Sequence, residues 1–255
     1  MGITEYYDNR KAVVTASFDD WQNNSDGNFI TACNKFQERQ LWASAGIITG
    51  DLLEETWTHI QDQIDDGFIE PVSHSQNHLG DPLFCLNATV EVGQSSVMIK
   101  DNLMLPVFNQ NGSHEYVYAY LLPFGLICNQ TLMAMMSSTY LVSRNSNSSV
   151  TGFSPWRSDY NIYAPAGFTI RMGYDTEEDK NILNHTFDSV YDTGGIYHLN
   201  LHPWALGDAE WVSYGDAHLD HIKDKKDIWY VSFGHLYLYH FMKEKELVTV
   251  ITAEQ

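Results

Sequence analysis

Apolar positions recur along this chain with two different periods, and the changes of period divide it into strands and helices. Residues 11–17 read as a first strand, β-branched and followed at once by polar positions. Residues 28–42 carry mixed helical spacing through Phe29, Ala32, Cys33, Phe36 and Leu41, and 45–49 form a short strand closed by Gly50 and Asp51. The spacing predicts an amphipathic helix over 52–66, where Leu53, Trp57, Ile60 and Ile64 share a face and Gly67 is the stop. The next strand is 68–73, with His74 at its end. Strand, helix, strand, with reactive side chains at the carboxyl ends of strands, is the pattern of an α/β barrel or an open α/β sheet.

The alternation is weaker further on. Residues 79–99 read as a loop and then a helix carrying Leu86, Val90 and Val97, and 116–122 as an aromatic-rich strand ending at Pro123-Phe124-Gly125. Residues 132–142 fit a helix or a strand, and 145–152 a polar loop. A strand is expected over 168–172, a helix over 180–193 closed by Gly194-Gly195, and a strand over 196–201 that runs into His202-Pro203-Trp204. Helices over 219–226 and 234–246 flank a short strand at 228–231, and the Tyr-rich stretch 236–241 is expected to pack against the barrel. Neither internal repeats nor linkers interrupt residues 1–255, which read as one domain.

At 255 residues and 44% hydrophobic, the chain can bury a sizeable core, and a single α/β barrel of this length is ordinary. The formal net charge of -19 argues against nucleic acid and anionic membrane surfaces as partners, because little positive charge is present to neutralise phosphates. Lys223, Lys225 and Lys226 read as a solvated helix face. Cys33, Cys85 and Cys128 match no zinc-ribbon spacing and allow one disulfide or three buried thiols. No apolar run is long enough to span a bilayer. Sequons at Asn23, Asn87, Asn111, Asn129, Asn147 and Asn184 point to an extracellular or cell-surface protein whose leader has been removed, with richness in Asn, Ser and Thr as the plain alternative.

The chemistry concentrates at strand ends. Asp19 and Asp20 follow the first strand, and neighbouring carboxylates need a metal or a shared proton. His74 and His78 stand one helical turn apart if the segment after the strand is helical, so both imidazoles can face one ion. Asp20 completes a His-His-Asp set with open positions, which suits zinc and also admits cobalt or nickel.

These residues resemble the polysaccharide deacetylases (the NodB-homology domain, carbohydrate esterase family 4). Ser17-Phe18-Asp19-Asp20 and residues 67–78, ending in His74-Ser75-Gln76-Asn77-His78, look like that family's first two motifs. The strand around Gly46-Ile47-Ile48-Thr49 matches the family's second strand, residues 120–125 resemble the third motif, and residues 194–203 the last, centred on Leu-x-His. The resemblance implies a distorted (β/α)7-type barrel and a metal-dependent hydrolase that removes acetyl groups from an N- or O-acetylated carbohydrate. It implies that Asp20, His74 and His78 bind the divalent metal, that Asp19 is the general base and that His202 is the general acid protonating the leaving group. The Phe124 backbone N–H would help hold the oxyanion, and Leu201 would line the acetyl pocket. Trp21 and Trp204 adjoin motif residues and either line the site for sugar stacking or pack in the barrel, with Trp211 a weaker candidate for the site.

The chain departs from the family in three places. Trp21 stands where Gly usually follows the paired aspartates, and Leu121 where an Arg usually supports the base. No counterpart of the fourth motif is found, although Arg144, Trp156, Arg171 or Asp175 could substitute in space. Two alternatives accompany these departures: a non-catalytic carbohydrate-binding relative, or a hydrolase of small non-sugar amides. His198 is expected to face away from the site, and His218 and His221 to lie at the surface.

Overall fold

The computed structural model describes residues 4–81, 83–125, 130–145, 162–163, 176–205 and 214–245. Its axis is β1 (Ala12–Trp21), buried along its whole length. Residues 43–47 form β2 (Ala43–Ile47), followed by β3 (Ile69–Ser73), a small antiparallel hairpin of β4 (Gln110–Asn111) and β5 (His114–Glu115), β6 (Ala119–Leu121), β7 (Val142–Arg144), β8 (Ile162–Tyr163), β9 (Gly195–Leu201) and β10 (Ile228–Tyr230). Among the described residues, all but the hairpin join one eight-stranded sheet in which every pair is parallel. β9 lies along one side of β1; along the other, β10 pairs with its first residues and β2 with its last. From β2 the sheet continues through β3, β6 and β7 to β8.

Helices α1 (Asp26–Gln37), α2 (Glu54–Asp65), α3 (Leu83–Leu86), α4 (Ser95–Asn102), α5 (Gln130–Thr139), α6 (Glu177–Thr193) and α7 (Asp216–Ile222) connect the strands, and α8 (Phe233–Glu244) follows the last one. The architecture is a distorted α/β barrel, as the sequence suggests. The period of two along each strand separates two cores. Ala12, Val14, Ala16 and Phe18 of β1 and Tyr197, Leu199 and Leu201 of β9 pack outward, with Phe29, Trp57, Ile60, Met136 and Phe187 of the helices. Val13, Val72, Ala119, Leu121, Val142 and Ile196 pack inward, where Phe233, Leu236 and Tyr237 of α8 complete the cluster. The Tyr-rich stretch therefore closes the amino end of the barrel, and the carboxyl end is left for chemistry.

Several expectations change. β1 runs through Asp19 and Asp20 rather than stopping before them. Leu53 precedes α2 and is exposed, and the buried face of that helix is Thr56, Trp57, Ile60, Gln63 and Ile64. In the 79–99 segment, Leu86, Val90 and Val97 are exposed and Phe84, Val92 and Ile99 are buried. A π-helical turn at Thr89–Gln94 inserts an extra residue there and rotates the apolar face away from the spacing of a plain helix. Residues 130–139 are helical, and the following strand carries Arg144. The strand expected at 168–172 lies outside the described residues. Lys223 caps the end of α7, and Lys225 and Lys226 lie in the turn before β10 instead of on a helix face.

Cys85 is disulfide-bonded and Cys33 is a free, buried thiol. No helix among the described residues is long and apolar enough to cross a membrane. Two sequon asparagines already have structural duties. Asn23 bonds the Asp51 carbonyl, the Leu53 N–H and Thr56, and Asn184 accepts from His218 Nδ1.

Candidate metal centre and active site

In a regular strand Asp19 and Asp20 would point to opposite faces. The pairing of β1 with β2 shifts register between Phe18 and Trp21, and Asp20 takes a φ of +77°. This local irregularity re-aims Asp20 so that both carboxylates reach the same mouth of the barrel. Ser25 Oγ donates to the Asp20 carbonyl at 2.7 Å and holds the turned backbone. Trp21 then returns to the outer core, fully buried, its ring stacked on Phe29 at 4.8 Å and its N–H given to Asp26. It has no face free for a sugar, which corrects its expected place in the site.

Asp20 Oδ1 lies 3.0 Å from His74 Nε2 and 3.1 Å from His78 Nε2. His74 stands at the end of β3, and its Nδ1–H donates to the Leu121 carbonyl at 2.9 Å, which leaves Nε2 to carry the lone pair. The step from His74 to His78 is not a helical turn. Ser75 and His78 have φ of +72° and +51°, and the two imidazole centroids are nonetheless 4.8 Å apart. That irregular loop is tied at several points. The His78 N–H donates to Ser75 Oγ at 2.9 Å, and the Gly50 N–H to the Gln76 carbonyl at 2.6 Å. Glu91, fully buried in the π-helical turn, accepts from the Asn77 N–H at 2.9 Å and from its side-chain amide at 2.7 Å.

The donor set fits a divalent cation. One carboxylate oxygen and two imidazole nitrogens lie within 4.8 Å of one another. Such a mixed set suits zinc and the neighbouring first-row ions. Burial pushes His78 down to about 4, the charge of His74 adds to this, and the carboxylates only partly offset it; the ring is neutral near pH 7, as a ligand must be. Burial also disfavours charge on His74, but its hydrogen bond to Asp20 and both carboxylates outweigh this and raise it. A proton and a cation therefore compete for His74 Nε2. Burial likewise works against the Asp20 carboxylate, and the two histidines with the Trp204 N–H overcome it and hold the group below the ordinary range.

Asp19 is kept out of this set by a different partner. Arg144 Nη2, at the end of β7, lies 2.7 Å and 2.6 Å from the two Asp19 oxygens, and both side chains are buried. Burial alone would raise the Asp19 carboxyl; the charges of Arg144, His74 and His202 and the Arg144 hydrogen bonds more than offset it, so it is held low and ionised. Leu121, where the family has Arg, points inward over Gly46, whose missing Cβ would stand 2.5 Å from Leu121 Cδ1 and 2.9 Å from the Phe18 carbonyl. The guanidinium thus comes from one strand further along the sheet.

His202 follows β9, with Nε2 3.9 Å from both Asp19 Oδ2 and Asp20 Oδ2. Burial lowers this imidazole, and the two carboxylates oppose that only in part. Trp204 is half exposed, meets His202 edge-on with ring centroids 5.7 Å apart, and donates its indole N–H to Asp20 Oδ2 at 2.9 Å. Phe124 is exposed at a φ of +54°, with its ring 4.6 Å from that of His78.

No protein-family model matches the sequence, and no curated protein matches it. Solved structures do. A protein from Mycobacterium smegmatis assigned as a polysaccharide deacetylase superposes with a TM-score of 0.67 at 11% identity, over 100% of this chain and 98% of that one. The fold is that of the polysaccharide deacetylases. A family 4 acetyl xylan esterase from Clostridium thermocellum, in complex with a cobalt ion, gives a TM-score of 0.52 at 14% identity, over 89% of this chain and 91% of that one. A mutant of a CE4 family pseudoenzyme gives 0.51 at 14% identity, over 93% and 71% of the two chains. A pseudoenzyme in this company means that the deacetylase fold alone does not decide activity.

On this fold the period of two settles the inner face of β9. His202 and Asn200 point inward and Leu201 outward into the helix-packed core, which corrects the expectation that Leu201 lines the site. His198 also faces inward, 2.9 Å from Ser17 Oγ, contrary to the expectation that it turns away. His218 is buried under α6, between Asn184 and Tyr197, whereas His221 is partly exposed and pairs with Asp188. Trp156, Arg171, Asp175 and Trp211 lie outside the described residues. The sequence offered no signal for Glu91, and named Arg144 only as one of four candidates.

Proposed function

We propose that this protein is a metal-dependent hydrolase that removes acetyl groups from an acetylated carbohydrate. The observation that carries the reading is the separation of two adjacent carboxylates: Asp20 converges on His74 and His78, and Asp19 is held apart by Arg144 with His202 near both. Asp20, His74 and His78 would hold the cation, and zinc fits the donor set, with cobalt or nickel as substitutes. Bound there, the cation supplies Lewis-acid polarisation of the acyl carbonyl and makes water a usable nucleophile near neutral pH.

The remaining work falls to the chain. Asp19, kept ionised by Arg144, accepts the proton of the attacking water. His202, with Nε2 3.9 Å from both carboxylates, donates a proton to the leaving nitrogen or oxygen; burial disfavours its protonated form, and Asp19 and Asp20 favour it. The backbone N–H of Phe124 is the candidate donor to the oxyanion. The exposed ring of Trp204 beside His202 offers a face on which a sugar can stack. The net charge of -19 favours neutral or cationic glycans on encounter. The Cys85 disulfide supports an oxidising, extracellular or cell-surface location.

The test is acetate release by zinc- or cobalt-loaded protein from N-acetylglucosamine oligomers, acetylated xylan and chromogenic acetate esters. Release that depends on added metal is expected; none from any substrate refutes the reading. Glycan binding without turnover would instead place this chain with the pseudoenzyme.

A further inference from the structure

Asp20 has two oxygens, and the structure treats them differently. Oδ1 faces Nε2 of His74 and Nε2 of His78 at 3.0 Å and 3.1 Å. Oδ2 accepts the Trp204 indole N–H at 2.9 Å. Indole is a donor only and does not titrate, so Oδ2 is the accepting partner in this contact. The Asp20 backbone is fixed separately, by the Ser25 hydroxyl on its carbonyl, which leaves the carboxylate's orientation as what Trp204 controls. Trp204 lies in the 3-10 turn Pro203–Ala205, immediately after His202, so one short turn carries both the proton-handling imidazole and this contact.

We infer that Trp204 is a positioning residue that occupies Asp20 Oδ2, so that Asp20 presents a single oxygen to the cation. The inference rests on the metal site proposed above. A carboxylate free to bind through both oxygens would take a coordination position that substrate or water needs. An indole N–H on one oxygen prevents this while the half-exposed ring still faces solvent. Contacts of this kind around a ligand typically change metal affinity by about 10–100-fold.

The experiment compares Trp204→Phe, which keeps a ring and loses the N–H, with Trp204→Ala. Cobalt(II) is titrated into each protein and into the parent, and affinity and the visible absorption of the bound ion are both read. The expected result is about 10-fold weaker binding for both variants. The cobalt bands should also weaken as Oδ2 becomes free to coordinate and the coordination number rises. Circular dichroism checks folding, which a half-exposed side chain should not endanger. If Trp204→Phe matches the parent in affinity and spectrum, the inference is wrong, whether or not Trp204→Ala is impaired. Parent protein that binds cobalt but releases no acetate would remove the deacetylase reading and leave the same titration to judge Trp204. Parent protein that binds no cobalt overturns both.

Discussion

Arg144 Nη2 spans both oxygens of Asp19 across 125 residues of sequence, and neither side chain touches solvent to any extent. A buried pair of this kind is costly to break from one side, by about 3–5 kcal/mol, because the surviving charge has nowhere to go. Arg144→Leu should therefore lower thermal stability. It should also reduce kcat/KM while leaving metal affinity in place, since Asp20, His74 and His78 are untouched. The distinguishing measurement is the pH–rate profile. Arg144 depresses the Asp19 carboxyl, so its loss raises that pKa and moves the acid limb to higher pH. An unmoved acid limb would show that Asp19 is not the base.

The two aspartates should separate cleanly by substitution. Asp19→Asn is expected to retain the metal and lose about 10²–10⁴-fold in turnover. Asp20→Asn should lose the metal first, and activity with it. Metal content by elemental analysis beside acetate release distinguishes the two outcomes, and equal metal loss in both variants would contradict the assignment.

Glu91 never approaches the cation position, yet it grips Asn77 at two points inside the loop that delivers His78. Ser75 and His78 sit at positive φ there, a conformation that persists only where surrounding bonds impose it. Glu91→Ala should loosen that loop and weaken metal binding by about 10-fold, in the range seen for residues that support ligands. Calorimetric titration with zinc reads this directly, and unchanged affinity would mean that Ser75 and Gly50 suffice.

Acid sensitivity should trace in part to His218. Its Nδ1–H donates to Asn184 and its Nε2 lies 2.9 Å from the Tyr197 hydroxyl, and burial, followed by the nearby His221, pushes its pKa down to about 3. Between about 3 and the ordinary value of 6.5, the unfolded chain binds a proton here that the folded chain does not. Stability from this group is complete above pH 6.5 and falls as the pH drops through that window, by at most about 1.4 kcal/mol per pH unit. His218→Gln should flatten the decline, as measured by denaturant melts from pH 7 to pH 4. A slope identical to the parent's would assign the acid transition elsewhere.

The parts of the site legible in the sequence were those written locally. Asp19-Asp20 and His74…His78 each lie within one short segment near the end of a strand, and hydrophobic periodicity locates those strands even though β1 runs on through both aspartates. What lay beyond reach depended on geometry between segments. The slip at Asp20 turns two neighbours to one side and sends Trp21 into the core, and no pattern of apolar positions announces a one-residue slip. Leu201 is different, because period two from an inward His202 already assigns it to the outer face. Glu91 emerged only with the π-helical turn, which broke the spacing on which the Leu86, Val90 and Val97 helix face rested.

The position of Arg144 has a consequence for how the site is recognised. Asp19 can receive its guanidinium from β6 or from β7, because the neighbouring strand ends Leu121 and Arg144 are register partners at the same height on the sheet. What such a site requires is the place at which the charge arrives, and two neighbouring strand ends can meet that requirement. The arginine that serves the first aspartate is thus identified by the spatial meeting of the two side chains, and a reading of residue 121 alone would miss it.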